Sequence, residues 1–127
     1  MTDRCRRLVM TSHTYLKDSA IENLDILRDG DRNNRRDGVA SVLIKRGDRF
    51  FQVMEGPADM VGAALERMLE DRRHYDVTVL NDRPDATPRL GAPGLNYVQR
   101  PSDDPGSDLE EVARIDPEAA LETATIH

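Results

Sequence analysis

At 127 residues the chain is long enough for one domain with a real core and too short for two. A formal charge of -6 disfavours non-specific nucleic-acid binding, which runs on phosphate neutralisation, and a single cysteine excludes an internal disulfide. The 38% hydrophobic and 33% charged fractions fit a small globular unit with a polar surface and a hydrophilic tail. No His/Cys set has zinc-ligand spacing, and no stretch approaches the roughly 18 apolar residues of a membrane span. The short arginine clusters (Arg4, Arg6, Arg7; Arg35, Arg36; Arg72, Arg73) are interleaved with acids and read as solvated surface. Those at the N-terminus precede only a short apolar run, so no signal peptide is expected and the chain is expected to be cytoplasmic.

The run RLVMTS predicts a buried-type strand over 7–12. Asp18 or Ser19 can cap a helix from about residue 20, with Ile21, Leu24 and Leu27 at helical spacing and Ile26 beside that stripe. Gly30 is expected to end or loosen the helix, leaving 31–37 as a polar connection that contains Asn33 and Asn34. A near-continuous apolar strand over 39–44, central in its sheet, then turns through 45–48 into a strand over 49–54. Glu55-Gly56-Pro57 reads as a stop and restart. Pro57 sits where a helix can spare an N–H, and the helix is expected to run on to His74. Its stripe is Met60, Val61, Ala64, Leu65, Met68 and Leu69. A fourth strand is predicted over 75–80, a Pro/Gly-rich loop over 81–94 and a short edge strand over 95–98.

The order is βαββαβ with a possible extra strand. It predicts an α+β, ferredoxin-like sheet with two helices on one face, plus a short helical or flexible C-terminal tail. The domain is expected over 1–100, with an acidic linker and tail over 101–127.

Several polar residues exceed what a scaffold needs. Gln52 sits among Phe50, Phe51, Val53 and Met54, and alternation puts it on the face of Phe50 and Met54. Arg67, Asp71 and His74 have spacings that place them on one side of a continuous helix. An intrahelical ion pair with a C-terminal histidine is the plain alternative, although Arg before Asp is the weaker order. Asn33-Asn34 is equally readable as a helix end. Together these groups offer amide donors and acceptors, a guanidinium, a carboxylate and an imidazole. That set suits a flat heteroaromatic ring with alternating carbonyl, N–H and ring nitrogen, with Ile26, Leu27 and Met68 against its faces.

The pieces DILRDGDRNNRRDGV, FFQVMEGP and ERMLEDRRHYDVTVL resemble the BLUF domains, a family of flavin-based blue-light sensors. The resemblance covers about 7–98. It implies FAD between the two helices. Asn34 would bond the flavin carbonyl edge with Asn33 beside it, and Gln52 would be the switch amide near flavin N5 and O4. Arg67 and Asp71 would bond the pyrimidine end, with His74 near the ring and its ribityl or phosphate chain. With no catalytic effector domain attached, output is expected through a downstream protein partner, and a homo-oligomer is expected of a small domain with one open sheet face; charge and hydropathy give no expectation of nucleic acid or membrane.

The departures fall on the photochemical positions. The family's first strand carries L-I-Y-x-S, and here LVMTS puts Met10 at the tyrosine. Its R-F-x-x-W-x-M-G-Y-V becomes RLGAPGLNYV, with Pro93 at the tryptophan and Leu95 at the methionine. The resemblance therefore implies a flavin-binding blue-light or redox sensory module whose tyrosine-dependent photocycle is absent or altered. The alternative is a flavin-free scaffold on the same fold, its FAD lost. An enzyme is not expected, because no nucleophile is paired with a base and no Gly-rich phosphate loop is present.

Overall fold

The computed structural model describes residues 5–17 and 21–100. The expected caps Asp18 and Ser19 and the expected linker and tail over 101–127 lie outside them. The elements are β1 (Cys5–His13), α1 (Glu22–Asp37), β2 (Ala40–Arg46), β3 (Arg49–Gly56), α2 (Ala58–Glu70), β4 (Tyr75–Ala86) and β5 (Gly94–Arg100). They form one five-stranded sheet in the order β4-β1-β3-β2-β5. Strand β5 runs parallel to β2, and β1–β3, β1–β4 and β2–β3 are antiparallel. This is the expected ferredoxin-like arrangement with the added strand at an edge.

Side-chain alternation explains why β1, β2 and β3 read as almost continuous apolar runs: both of their faces are covered. On the helical side Leu8, Met10 and Met54 pack with Val39 and with Val61, Ala64 and Met68 of α2. Beside them Leu43 and Phe50 pack with Ile26 of α1. On the other face Val9 and Val53 pack with Leu80 and Leu90, and the Arg49 guanidinium lies 4.7 Å above the Phe51 ring. With Ile44 and Phe51 also at most 2% exposed, this second face is not the open apolar surface that would invite a partner or a second copy.

Four expectations change. Helix α1 does not stop at Gly30 but continues to Asp37, where Gly38 closes it at φ 71. Ion pairs one turn apart support the helix, Asp25–Arg28 at 3.8 Å before Gly30 and Asp29–Arg32 at 3.2 Å and Asp31–Arg35 at 2.8 Å across it and into the supposed loop. Each has the acid N-terminal to the base, the favourable order. Gly30 serves packing instead, since a Cβ there would lie 2.7 Å from Leu95 Cδ1 of β5. The apolar stripe is also misphased. Ile21 and Leu24 are exposed, and the buried face of α1 is Asn23, Ile26 and Asn34.

Helix α2 stops at Glu70 rather than His74, and Asp71 takes extended geometry. Its carboxylate accepts from the Arg73 backbone N–H at 2.9 Å, a local bond that competes with helix continuation. Strand β4 runs past Leu80 to Ala86 through what was expected to be loop. It is an edge strand, where Pro84 removes no essential ladder bond, and register shifts absorb the irregularity.

Candidate functional site

A cleft of about 270 Å³ opens between the helices above the sheet. Its floor comes from β2 and β3 through Leu43, Gln52 and Met54. One wall is α1, through Ile26, Asn33 and Asn34, and the other is α2, through Ala64, Arg67 and Met68. The turn after α2 adds Asp71, Arg73 and His74. Eight of the residues picked from the sequence as ligand-binding candidates meet in one cleft: Ile26, Asn33, Asn34, Gln52, Arg67, Met68, Asp71 and His74; Leu27, also expected against a ring face, does not line it.

They arrive by a different route from the one expected. Asn33 and Asn34 belong to the last turns of α1, not to a loop after it. Asp71 and His74 are beyond α2, so they share no helix face with Arg67. The turn brings them back, held by Asp71 N–H to Met68 O and His74 N–H to Asp71 O, each at 3.2 Å. The Arg67–Asp71 pair of the plain alternative gives way to two others. Arg67 reaches Asp37 at 3.3 Å, and Asp71 takes the Arg73 guanidinium at 2.6 Å.

The cleft's polar groups differ in what they have left to offer. Asn34 is 5% exposed, and its amide N–H groups donate to Ser41 Oγ at 2.9 Å and to Gly94 O at 3.3 Å. Gly94 O can only accept, which orients the amide and leaves its oxygen as the free acceptor. Among the described residues, the side-chain amides of Asn33 and Gln52 have no hydrogen-bond partner, so both can donate and accept in the cleft. For Asp71, burial raises the carboxyl pKa, but the Arg73 side-chain and backbone hydrogen bonds outweigh it and hold the group below the usual carboxylate range.

His74 is packed against the Phe50 ring with centroids 5.0 Å apart. Burial lowers its pKa, with Asp71 opposing and Arg73 assisting, so the imidazole is held neutral. Its Nδ1 lies 3.3 Å from Ser12 Oγ and its Nε2 lies 3.9 Å from Asp71. The set superficially resembles a Ser-His-Asp triad. Ser12, however, is 1% exposed and does not line the cleft, and 3.9 Å is too long for a hydrogen bond. The contact orients the ring instead.

The three substituted positions separate. Leu95 lines the cleft, Pro93 is exposed outside it, and Met10 is wholly buried beneath it, paired in register with Gln52. Tyr15, five residues along from Met10, is 80% exposed and stacks on Tyr75 with centroids 4.5 Å apart, outside the cleft lining.

Sequence reasoning missed Asp29, Arg32 and Arg73, which also line the cleft. Arg73 bridges Asp71 and Asp29, the latter at 3.5 Å. The sequence reading put Arg72 and Arg73 together on the solvated surface; the turn leaves only Arg72 exposed and brings Arg73 into the cleft.

Comparison with known proteins identifies the family and the fold. The family described as BLUF, sensors of blue-light using FAD, matches residues 6–90. The Escherichia coli (strain K12) "blue light- and temperature-regulated antirepressor BluF" is 27% identical over 73 residues, 58% of this chain and 18% of that protein. "Photoactivated adenylate cyclase subunit beta" from Euglena gracilis is 31% identical over 80 residues, 59% of this chain and 9% of that protein. This chain thus matches less than a fifth of either relative's length. Among solved structures, the dark state of BlrB, a BLUF protein, has the same fold at a TM-score of 0.76 and 24% identity, covering 97% of this chain and 94% of that one. A bacterial light-regulated adenylyl cyclase aligns at a TM-score of 0.72 and 25% identity, over 87% of this chain and 33% of that one. With the match spanning most of the described residues, the chain belongs to the BLUF family, the sensors of blue light using FAD.

Proposed function

We propose that this chain is a flavin-binding sensory module that holds FAD in the interhelical cleft and acts through contact with another protein, not as an enzyme. One observation carries the reading. The unpartnered amides of Gln52 and Asn33 converge on a slot whose walls are apolar at Ile26 and Met68. An unoccupied polar amide over a sheet floor wants a polar ligand edge, and opposed apolar side chains want a flat ring face.

The residues present fit an isoalloxazine. Gln52 and Asn33 would meet its carbonyl and N–H edge. Asn34, with its donors already used, would accept from a ring N–H rather than bond a carbonyl. Arg67 keeps donors beyond its single bond to Asp37. Three arginines and two aspartates line the cleft, and Asp37 pairs with Arg67 from beside it, so the guanidiniums serve as directional donors and not as a net charge.

When bound, the flavin supplies blue-light absorption and an excited state that accepts electrons. Among the described residues no tyrosine or cysteine lines the cleft, and the chain has no tryptophan. Met10 has no exchangeable proton to give. The tyrosine-dependent response is therefore replaced or lost, while the Gln52 amide is kept.

A second reading, the flavin-free scaffold, is favoured by one specific observation: Asp71 and the donors of Asn34 are already satisfied within the protein. The absorption spectrum of the purified chain, before and after added FAD, separates the two. Flavin bands that persist through gel filtration are expected, and their absence after reconstitution sinks the first reading. For the output, the antirepressor and cyclase relatives give the class: a protein contact that regulates an effector. A homo-oligomer is part of the proposal, to be read by light scattering on the eluted chain. Among the described residues no helix is long and apolar enough to cross a membrane, and a cytoplasmic location belongs to the same proposal.

A further inference from the structure

We propose that Met54 and Met68 are a photo-oxidation site: blue light and dioxygen convert both thioethers to sulfoxides, with the cleft flavin as sensitiser. The inference rests on the reading that FAD occupies the cleft.

Met54 comes from the floor and Met68 from the α2 wall. Both belong to one packed cluster, with Met10 beneath them. They are 1% and 8% exposed, and Met10 is 0% exposed. The cleft thus presents sulfur where no tyrosine or cysteine among the described residues lines it. A thioether is a weak one-electron donor but a good acceptor of oxygen atoms. A flavin held here with no tyrosine in its lining would supply singlet dioxygen by energy transfer to dissolved dioxygen, which is small and apolar enough to enter the packed floor.

The step balances with two sulfurs and one dioxygen. The oxygen molecule adds to one thioether. The adduct passes its outer oxygen atom to the second thioether, and the O–O bond breaks. Two sulfoxides result. Each sulfur has given up two electrons and the dioxygen has taken up four. No proton, reductant or leaving group is involved, and the sensitiser is returned unchanged. Of the cluster's three buried methionines, Met54 and Met68 are the two that line the cleft, and a pair matches that stoichiometry. A sulfoxide is polar and chiral, so each product loosens the packing with Leu8, Val39 and Val61 that supports the cleft. Methionine sulfoxide reduction reverses it. The pair would record light dose covalently where the tyrosine-dependent cycle is missing.

Met60 provides an internal control. It is half-buried and packs on the outside of the same cluster. An oxidant arriving from solvent attacks Met60 before Met68 or Met54, and one made in the cleft reverses that order. The experiment takes the full chain with FAD loading verified by absorption, illuminates it with blue light in air or under argon, and measures peptide masses over time. Met54 and Met68 should each gain one oxygen atom several-fold faster than Met60, only with light and air. In Met68→Leu, a volume-conserving change, Met54 should oxidise several-fold more slowly for want of the second sulfur. The proposal is overturned if Met60 leads, if the oxygen goes to His74, or if FAD-loaded protein gains none. A chain with no flavin band fails the FAD reading and the proposal together at the absorption step. A chain that binds FAD without oxidising at these sulfurs fails the proposal alone.

Discussion

Replacing Glu55 with alanine tests the structure most sharply, because a buried charge network depends on one carboxylate. Glu55 and Arg7 are 4% and 3% exposed in their side chains. Arg7 Nε donates to Glu55 Oε2 at 2.7 Å, and Glu55 Oε1 accepts from the backbone N–H groups of Arg89 and Leu90, each at 2.8 Å. Arg7 also donates to Thr87 O at 2.5 Å. The pair therefore pins the 87–90 turn to the sheet, just ahead of the strand that delivers Leu95 to the cleft. Removing the carboxylate takes this counter-charge from a buried guanidinium that keeps its other contacts, which costs at most about 3–5 kcal/mol. The two backbone donors lose their acceptor as well, but Arg89 is exposed and water can serve there, so we add nothing for them. Against a total of about 5–15 kcal/mol for a domain of this kind, that loss is severe. Urea unfolding followed by far-ultraviolet circular dichroism reads it as a lower midpoint at unchanged slope. Arg7→Met with Glu55→Leu should cost less than the two single changes summed, because neither charge is then left behind. A Glu55→Ala protein within about 1 kcal/mol of the parent would refute the claim that this pair holds the turn.

Other outcomes follow from the same structure. His74 has a folded pKa depressed by burial, so the unfolded chain binds the proton more readily. Stability should be full above the unfolded value of about 6.5 and fall below it, by at most about 1.4 kcal/mol per pH unit, with His74→Gln flattening that limb of a pH-dependent melt. Asp71 is depressed too, and its contribution should persist above about 3.9 and be lost only in stronger acid, a separate limb that Asp71→Asn removes. Gly56→Ala should destabilise by about 1–3 kcal/mol in the same urea assay, since the new Cβ would lie 2.9 Å from Gly38 O and 3.1 Å from Val39 Cα, both backbone atoms. Arg67→Ala should weaken FAD retention roughly 10- to 100-fold in equilibrium dialysis if its guanidinium bonds the ring, and an unchanged affinity would remove it from the site. The native protein should show no reversible red shift under blue light, and Met10→Tyr is the variant that should begin to restore one. A reversible red shift in the native protein would refute the role given to Met10.

What the sequence determined by itself was the set of elements and the contents of the site. Strand alternation and helix periodicity are local, and they placed five strands, two helices and Gln52 on the helical face. The motif pieces named residues that do line one cleft. What tertiary structure decided was how those residues arrive and what they bond. Apolar periodicity sought a greasy stripe on α1, but the buried face carries Asn23 and Asn34 because it borders a polar cleft and β5. Gly30 looked like a helix breaker, yet it is the gap that admits Leu95 from a strand 65 residues along the chain, a contact no local rule can see. Asp71 and His74 looked helical by spacing, but one side-chain bond to Arg73 N–H turns the chain and pairs Asp71 with Arg73 in place of the alternative Arg67–Asp71 pair. Pairing among charged side chains is a competition settled by distance, and distance exists only once the chain has folded.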